Sequence, residues 1–104
     1  MSTEKLIIST AASRDEASRI AKRLVEESLA ACVNITGPIH SVYRWQGKVE
    51  SAEEFLMLIK TTASKSSDAT ARLRALHSYE VPEAIELEIT GGSADYLRWI
   101  RESV

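Results

Sequence analysis

Phe55-Leu56-Met57-Leu58-Ile59 is an apolar run with no polar break. Consecutive residues of a β-strand point to opposite faces, so Leu56 and Leu58 lie on one side and Phe55, Met57 and Ile59 on the other. A strand that is apolar on both sides signals burial on both sides. Whatever fold this chain adopts must therefore cover both faces of a sheet at this point.

Reading outward, Lys48 to Thr62 forms the second strand of a long hairpin, and Gln46-Gly47 is its tight turn. The first strand occupies Ala31 to Trp45. Val33, Ile35, Ile39, Tyr43 and Trp45 fall at odd positions there, with Asn34, Thr36, His40 and Arg44 between them, which predicts one main apolar face. Gly37-Pro38 interrupts the alternation, and a bulge or bend is expected because proline cannot donate to the ladder. Upstream, Lys5 to Thr10 reads as a strand. Ser13 and Glu16 have capping-box spacing. Ala17, Ile20, Ala21, Leu24, Val25 and Ser28 then mark the buried side of a helix. Downstream, Ser64 or Ser67 starts a second helix with Ala69, Leu73 and Leu76 inward, and His77 lies near its end. Ser78 to Glu83 is extended ahead of Pro82. Ala84 to Thr90 alternates as a strand, with Ile85, Leu87 and Ile89 on one side, and Gly91-Gly92 breaks it. Ser93 caps a short last helix carrying Tyr96, Leu97, Trp99 and Ile100.

The order strand, helix, strand, strand, helix, strand, helix predicts an α+β fold: a ferredoxin-like βαββαβ sandwich with an extra C-terminal helix, as a single domain over residues 1–104. Right-handed crossovers place both main helices on the same face of the sheet. The last helix is long enough to cover only part of the other. A partner subunit is the expected cover, since a large exposed apolar patch is unusual on a soluble monomer.

The chain of 104 residues is 44% hydrophobic and 27% charged, a balance typical of a folded domain. With 13 basic and 15 acidic residues its formal net charge is −2, which argues against nucleic acid as the main partner. Cys32 is the one cysteine, so no intramolecular disulfide forms, and its place in an apolar run favours packing. No run approaches the roughly 18 apolar residues of a membrane span. Leu6-Ile7-Ile8 is too short for a signal peptide, so a cytoplasmic location is expected.

Taken together, four segments resemble the CutA family: Leu29-Ala30-Ala31-Cys32-Val33-Asn34, Ser41-Val42-Tyr43-Arg44-Trp45-Gln46-Gly47, Ile59-Lys60-Thr61-Thr62, and His77-Ser78-Tyr79-Glu80-Val81-Pro82-Glu83. Tyr96-Leu97-Arg98-Trp99-Ile100 fits as well, so the resemblance spans nearly the whole chain. It implies a homotrimer similar to the PII signalling proteins, with long hairpins pairing between subunits. It also implies a role in tolerance to divalent cations, with Cu²⁺ or another divalent cation as a ligand and no cofactor required. The positions matching the family's metal residues are His77 and Glu83. Some members add a cysteine on the first strand and a second histidine before the matching one; this chain has Ser9 and Leu76 there, and Ser78 where the family's usual proline follows. Tyr43, Trp45, Lys60, Tyr79 and Trp99 are placed at a ligand cleft or subunit interface, with the small ligand or protein partner unidentified.

Each residue also has a plainer reading. His77 suits a helix C-terminus, where the dipole favours a cation. Two ligands per chain are few for copper or zinc, where three or four are usual. Tyr43 and Trp45 suit interface packing, and Lys60 can reach solvent along its aliphatic stem. His40 suits a solvent or interface position. Glu50, Glu53 and Glu54 suit a solvated edge. No glycine-rich phosphate loop or Gly-x-Ser-x-Gly elbow is present, so no enzyme activity is expected. The alternative enzyme, of the acylphosphatase kind, needs an arginine-bearing phosphate loop after the first strand. Arg14 is near, but Ala11-Ala12-Ser13 lacks the glycines. An RNA-binding sheet needs exposed aromatics on the central strands, where this chain has Leu6-Ile7-Ile8.

Overall fold

A computed structural model describes residues 3–104. The elements are β1 (Glu4–Ala11), α1 (Arg14–Glu26), β2 (Cys32–Trp45), β3 (Lys48–Thr62), α2 (Ala63–Leu76), β4 (Ile85–Glu88) and α3 (Ala94–Glu102). The strands form one sheet in the order β2-β3-β1-β4, and every neighbouring pair is antiparallel. This is the α+β arrangement expected from the element order, with both main helices on one face.

The core lies between that face and the two helices. Ile7, Met57 and Ile59 from the sheet meet Ala17, Ile20 and Leu24 of α1 and Ala69 and Leu73 of α2. The Ser13 hydroxyl accepts from the Glu16 amide at 3.1 Å, so half of the expected capping box forms. The other half differs, because the Glu16 carboxylate accepts the Ser78 amide at 2.8 Å and so ties α1 to the segment after α2. Val25 is 43% exposed rather than inward: α1 ends at Glu26, and Ser28 takes φ 57 to turn the chain back. The cap of α2 is Thr62, earlier than either serine, and β4 is shorter than the alternation of 84–90 suggested.

A bulge decides which face the hairpin aromatics occupy. Thr36 pairs with Leu56 and Ile39 with Glu54, so β2 uses one more residue than β3 across this step. An extra residue inverts the alternation. Val33 and Ile35 therefore share the helix-covered face with Met57 and Ile59. Ile39, Tyr43 and Trp45 share the opposite, open face with Glu54, Leu56 and Leu58. This corrects the expectation that all five odd residues lie together. Gly37 permits the crossing, because a Cβ there would sit 2.8 Å from Phe55 Cδ2 and 3.0 Å from the Glu54 carbonyl oxygen. Arg14 braces it, with its guanidinium 4.9 Å from the Phe55 ring centroid.

The open face has only partial cover. From α3, Ile100 is fully buried, but Ile85 and Leu87 of β4 remain 53% and 42% exposed. The hairpin tip projects beyond the core of a molecule measuring 43 × 25 × 22 Å.

Candidate functional site

On the open face the elements line a half-open cavity of about 310 Å³. Tyr43 and Trp45 enter from β2 and Glu54 from β3, all three through the parity that the bulge sets. Thr10 of β1 contributes beside them, and Tyr79, Glu80 and Glu83 come from the extended segment between α2 and β4. The site thus combines aromatic walls with carboxylates, and among the described residues no lysine or arginine lines it.

Glu54 is 8% exposed, and its Oε2 accepts the Tyr79 phenol at 2.7 Å. Burial, then the hydrogen bond to Glu54 and its charge, pushes the Tyr79 phenol above its ordinary range. Burial, reinforced by the Glu54 charge, raises the Glu83 carboxyl as well. Both groups face the Glu54 carboxylate, and no lysine or arginine among the described residues lines the pocket to offset its charge.

His77 holds the segment in place from the core side. Its side chain is fully buried. β4 pairs with β1 only across Lys5 to Ile8, leaving Thr10 beyond the ladder on that side. The Thr10 carbonyl instead accepts from His77 Nε2 at 2.7 Å. The Tyr79 amide donates to His77 Nδ1 at 3.1 Å, and the two rings lie 4.6 Å apart. A carbonyl can only accept and an amide can only donate, so the imidazole carries its proton on Nε2 and both nitrogens are in use. Beneath it, burial raises the Glu16 carboxyl, but hydrogen bonds from Ser78 and the Ala12 backbone outweigh this and leave it below its ordinary value.

Of the residues singled out in the sequence, Tyr43, Trp45, Tyr79 and Glu83 converge on this cavity. Lys60 lies apart, with its Nζ bonded to the Asn34 side chain and 3.9 Å from Cys32 Sγ, so Cys32 is a half-buried neighbour of a lysine rather than a core residue. Trp99 sits on α3 against Tyr96, with centroids 5.4 Å apart. His40 is exposed opposite Glu53. Glu54 corrects the solvated-edge reading: it is buried in the cavity wall.

The donors of one chain do not fit a copper or zinc centre. Among the described residues no group of three or more His, Cys, Asp or Glu is placed to hold a metal. His77 would have to surrender one of its two hydrogen bonds to bind one, and Ser9 and Leu76 offer no strong ligand beside it. Ser9 Oγ is instead buried without a hydrogen-bond partner among the described residues. Arg14, the residue an acyl-phosphate site would need, is committed to Phe55 and to the Gly37 carbonyl, 3.5 Å away.

Comparison with known proteins agrees with this architecture. The family profile described as CutA1 divalent ion tolerance protein matches residues 5–103. The chain is 47% identical over 100 residues to the divalent-cation tolerance protein CutA of Thermus thermophilus, covering 96% of this chain and 97% of that one. The crystal structure of CutA from Xylella fastidiosa superposes with a TM-score of 0.96 at 44% identity, over 99% of both chains. The structure described as the periplasmic divalent cation tolerance protein CutA from Archaeoglobus fulgidus gives a TM-score of 0.92 at 45% identity, over 96% of this chain and 97% of that one. With sheet order, helix placement and sequence in agreement along almost its whole length, the chain belongs to the CutA1 divalent ion tolerance family.

Proposed function

We propose that the protein works as a homotrimer in the response to divalent cations, and that it does so as a binding or signalling module rather than as an enzyme. The observation that carries this reading is the open face. Leu56, Leu58, Ile85 and Leu87 share it with the hairpin aromatics, and α3 covers only part of it. Contiguous apolar surface of this kind is what a closed ring of identical subunits removes from water. In such a trimer the cavity beside Tyr43, Trp45 and Tyr79 is the place for a ligand to be sensed. Light scattering at micromolar concentration is expected to give the trimer mass, and a monomer mass would refute the assembly.

Copper binding belongs to the same proposal in a restricted form. Because His77 is fully engaged, Cu²⁺ is expected to bind weakly or between subunits. Calorimetry on the native protein and on His77→Ala tests this, and tight stoichiometric binding that survives the substitution would refute it. No helix among the described residues is long and apolar enough to cross a membrane. We place the protein in the cytoplasm, which cell fractionation checks.

A further inference from the structure

The fold buries three carboxylates deeply, and it treats one of them differently. Glu4 meets Arg101 at 3.0 Å. Glu16 receives the Ser78 amide and lies beside His77. Glu54, equally out of solvent, has no ion-pair partner among the described residues. Its one hydrogen bond there is the Tyr79 phenol on Oε2, and Oε1, without a donor among the described residues, is open to the cavity rather than sealed from it. A carboxylate taken out of water without a cation is costly. Glu80 and Glu83 line the same cavity, also without ion pairs, and enlarge the deficit of positive charge.

The aromatic walls narrow down what would supply that charge. The faces of Tyr43, Trp45 and Tyr79 carry negative quadrupoles and attract cations that keep an apolar surface. Ca²⁺ or Mg²⁺ prefers six or more oxygen ligands at short range, copper or zinc prefers three or four that include nitrogen or sulfur, and none of them is served by aromatic rings and two or three carboxylates. The space of about 310 Å³ is also that of a small organic molecule. We propose that this cavity binds a small organic ammonium ion, its N–H groups donating to Glu54 and Glu83 and its carbon frame lying against Tyr43 and Trp45. This deepens the binding-module reading and rests on it. The ligand supplies the counter-charge that Glu4 receives from Arg101 within the chain.

The test uses the 104-residue chain in a Trp99→Phe background, where Trp45 is the remaining tryptophan. Titration with n-butylammonium chloride is expected to change Trp45 emission saturably. Potassium chloride, 1-butanol and sodium butyrate at equal concentration are expected to leave it unchanged. Glu54→Gln keeps the shape and removes the charge, and is expected to weaken binding about tenfold or more. Glu83→Gln, a milder change, is expected to weaken it severalfold. The proposal is overturned if 1-butanol binds as well as the cation, or if both glutamine variants bind normally. It is also overturned if CuCl₂ displaces the amine stoichiometrically and itself requires Glu54, which would make the site a metal site. A loss of oligomer mass in Glu54→Gln would overturn it too, by assigning the counter-charge to a neighbouring subunit. Mass is read by light scattering on the same samples. A trimer with no response refutes the ligand class alone, and a monomer with a saturable response refutes the assembly alone.

Discussion

The root and the tip of the β2–β3 hairpin share strands and ladder but not surroundings. At the root, Val33 and Ile35 pair with Ile59 and Met57 over the core. At the tip, Tyr43 pairs with Glu50 and Trp45 with Lys48, and the strand residues there are mostly exposed. Backbone hydrogen bonding continues through both halves, so it does not distinguish them. What differs is the apolar area withdrawn from water, the dominant favourable term in folding and in most association. The root is stabilised by its own chain, and the tip has apolar residues whose cover lies elsewhere.

The largest expected effect is at the root. Ile59→Ala removes a fully buried side chain and is expected to cost about 2–5 kcal/mol in denaturant unfolding. A loss comparable to that of an exposed site would erase the distinction between the halves. At the tip, Trp45→Ala is expected to cost about 2 kcal/mol or more in assembly, seen as an earlier dissociation and a melting point that becomes more sensitive to concentration. An unchanged elution volume and melting point would show that the tip is not an interface. At the boundary, Gly37→Ala drives a Cβ against Phe55 and the Glu54 carbonyl at a backbone φ of 151°. Its expected cost is about 1–3 kcal/mol, with an altered Trp45 emission, because the bulge sets the face that Trp45 occupies.

The smallest effects are on pH dependence and have opposite signs in the two carboxyl environments. The Glu16 carboxyl is held below its ordinary value of 4.5. Its contribution to stability is therefore present above that value and lost as pH falls through the lowered one. Glu83 is raised above 4.5, so its folded form favours the proton and stability declines as pH rises from there through the raised value. Glu16→Gln is expected to flatten the acid side of the stability profile, and Glu83→Gln to give a small gain at neutral pH. The same sign for both variants would contradict this account.

The sheet and helices were legible because local signals agreed: the Ser13 cap, the 3.6 spacing from Ala17 to Leu24 and the Gln46-Gly47 turn, where φ is 51° and 80°. Gly37-Pro38 signalled a bulge, but the number of extra residues depends on the partner strand, so the face of Tyr43 and Trp45 could not be counted from β2 alone. His77 showed its position near a helix end but not its burial. Thr10, Glu16 and Tyr79 occupy its ring from two sequence-distant segments and one near one. Glu54 was missed although a signal existed. It shares its parity with Leu56 and Leu58, so it belongs with the apolar open face rather than with its neighbour Glu53.

The sheet order β2-β3-β1-β4 has a consequence for synthesis on the ribosome. β1 emerges ahead of both of its neighbours, and its pairing with β3 joins Ala11 to Phe55 and Glu4 to Thr62. While the intervening chain is being made, Leu6, Ile7 and Ile8 have no strand to join. The β2–β3 hairpin, whose turn is local, can close as soon as it clears the exit tunnel, because short-range pairing avoids the entropy of a long loop. The arm at the periphery of the finished sheet is thus the template onto which the waiting central strand docks. A nascent chain stalled shortly after Trp45 would hold an apolar strand with no partner, the stage at which a holding chaperone has most to bind.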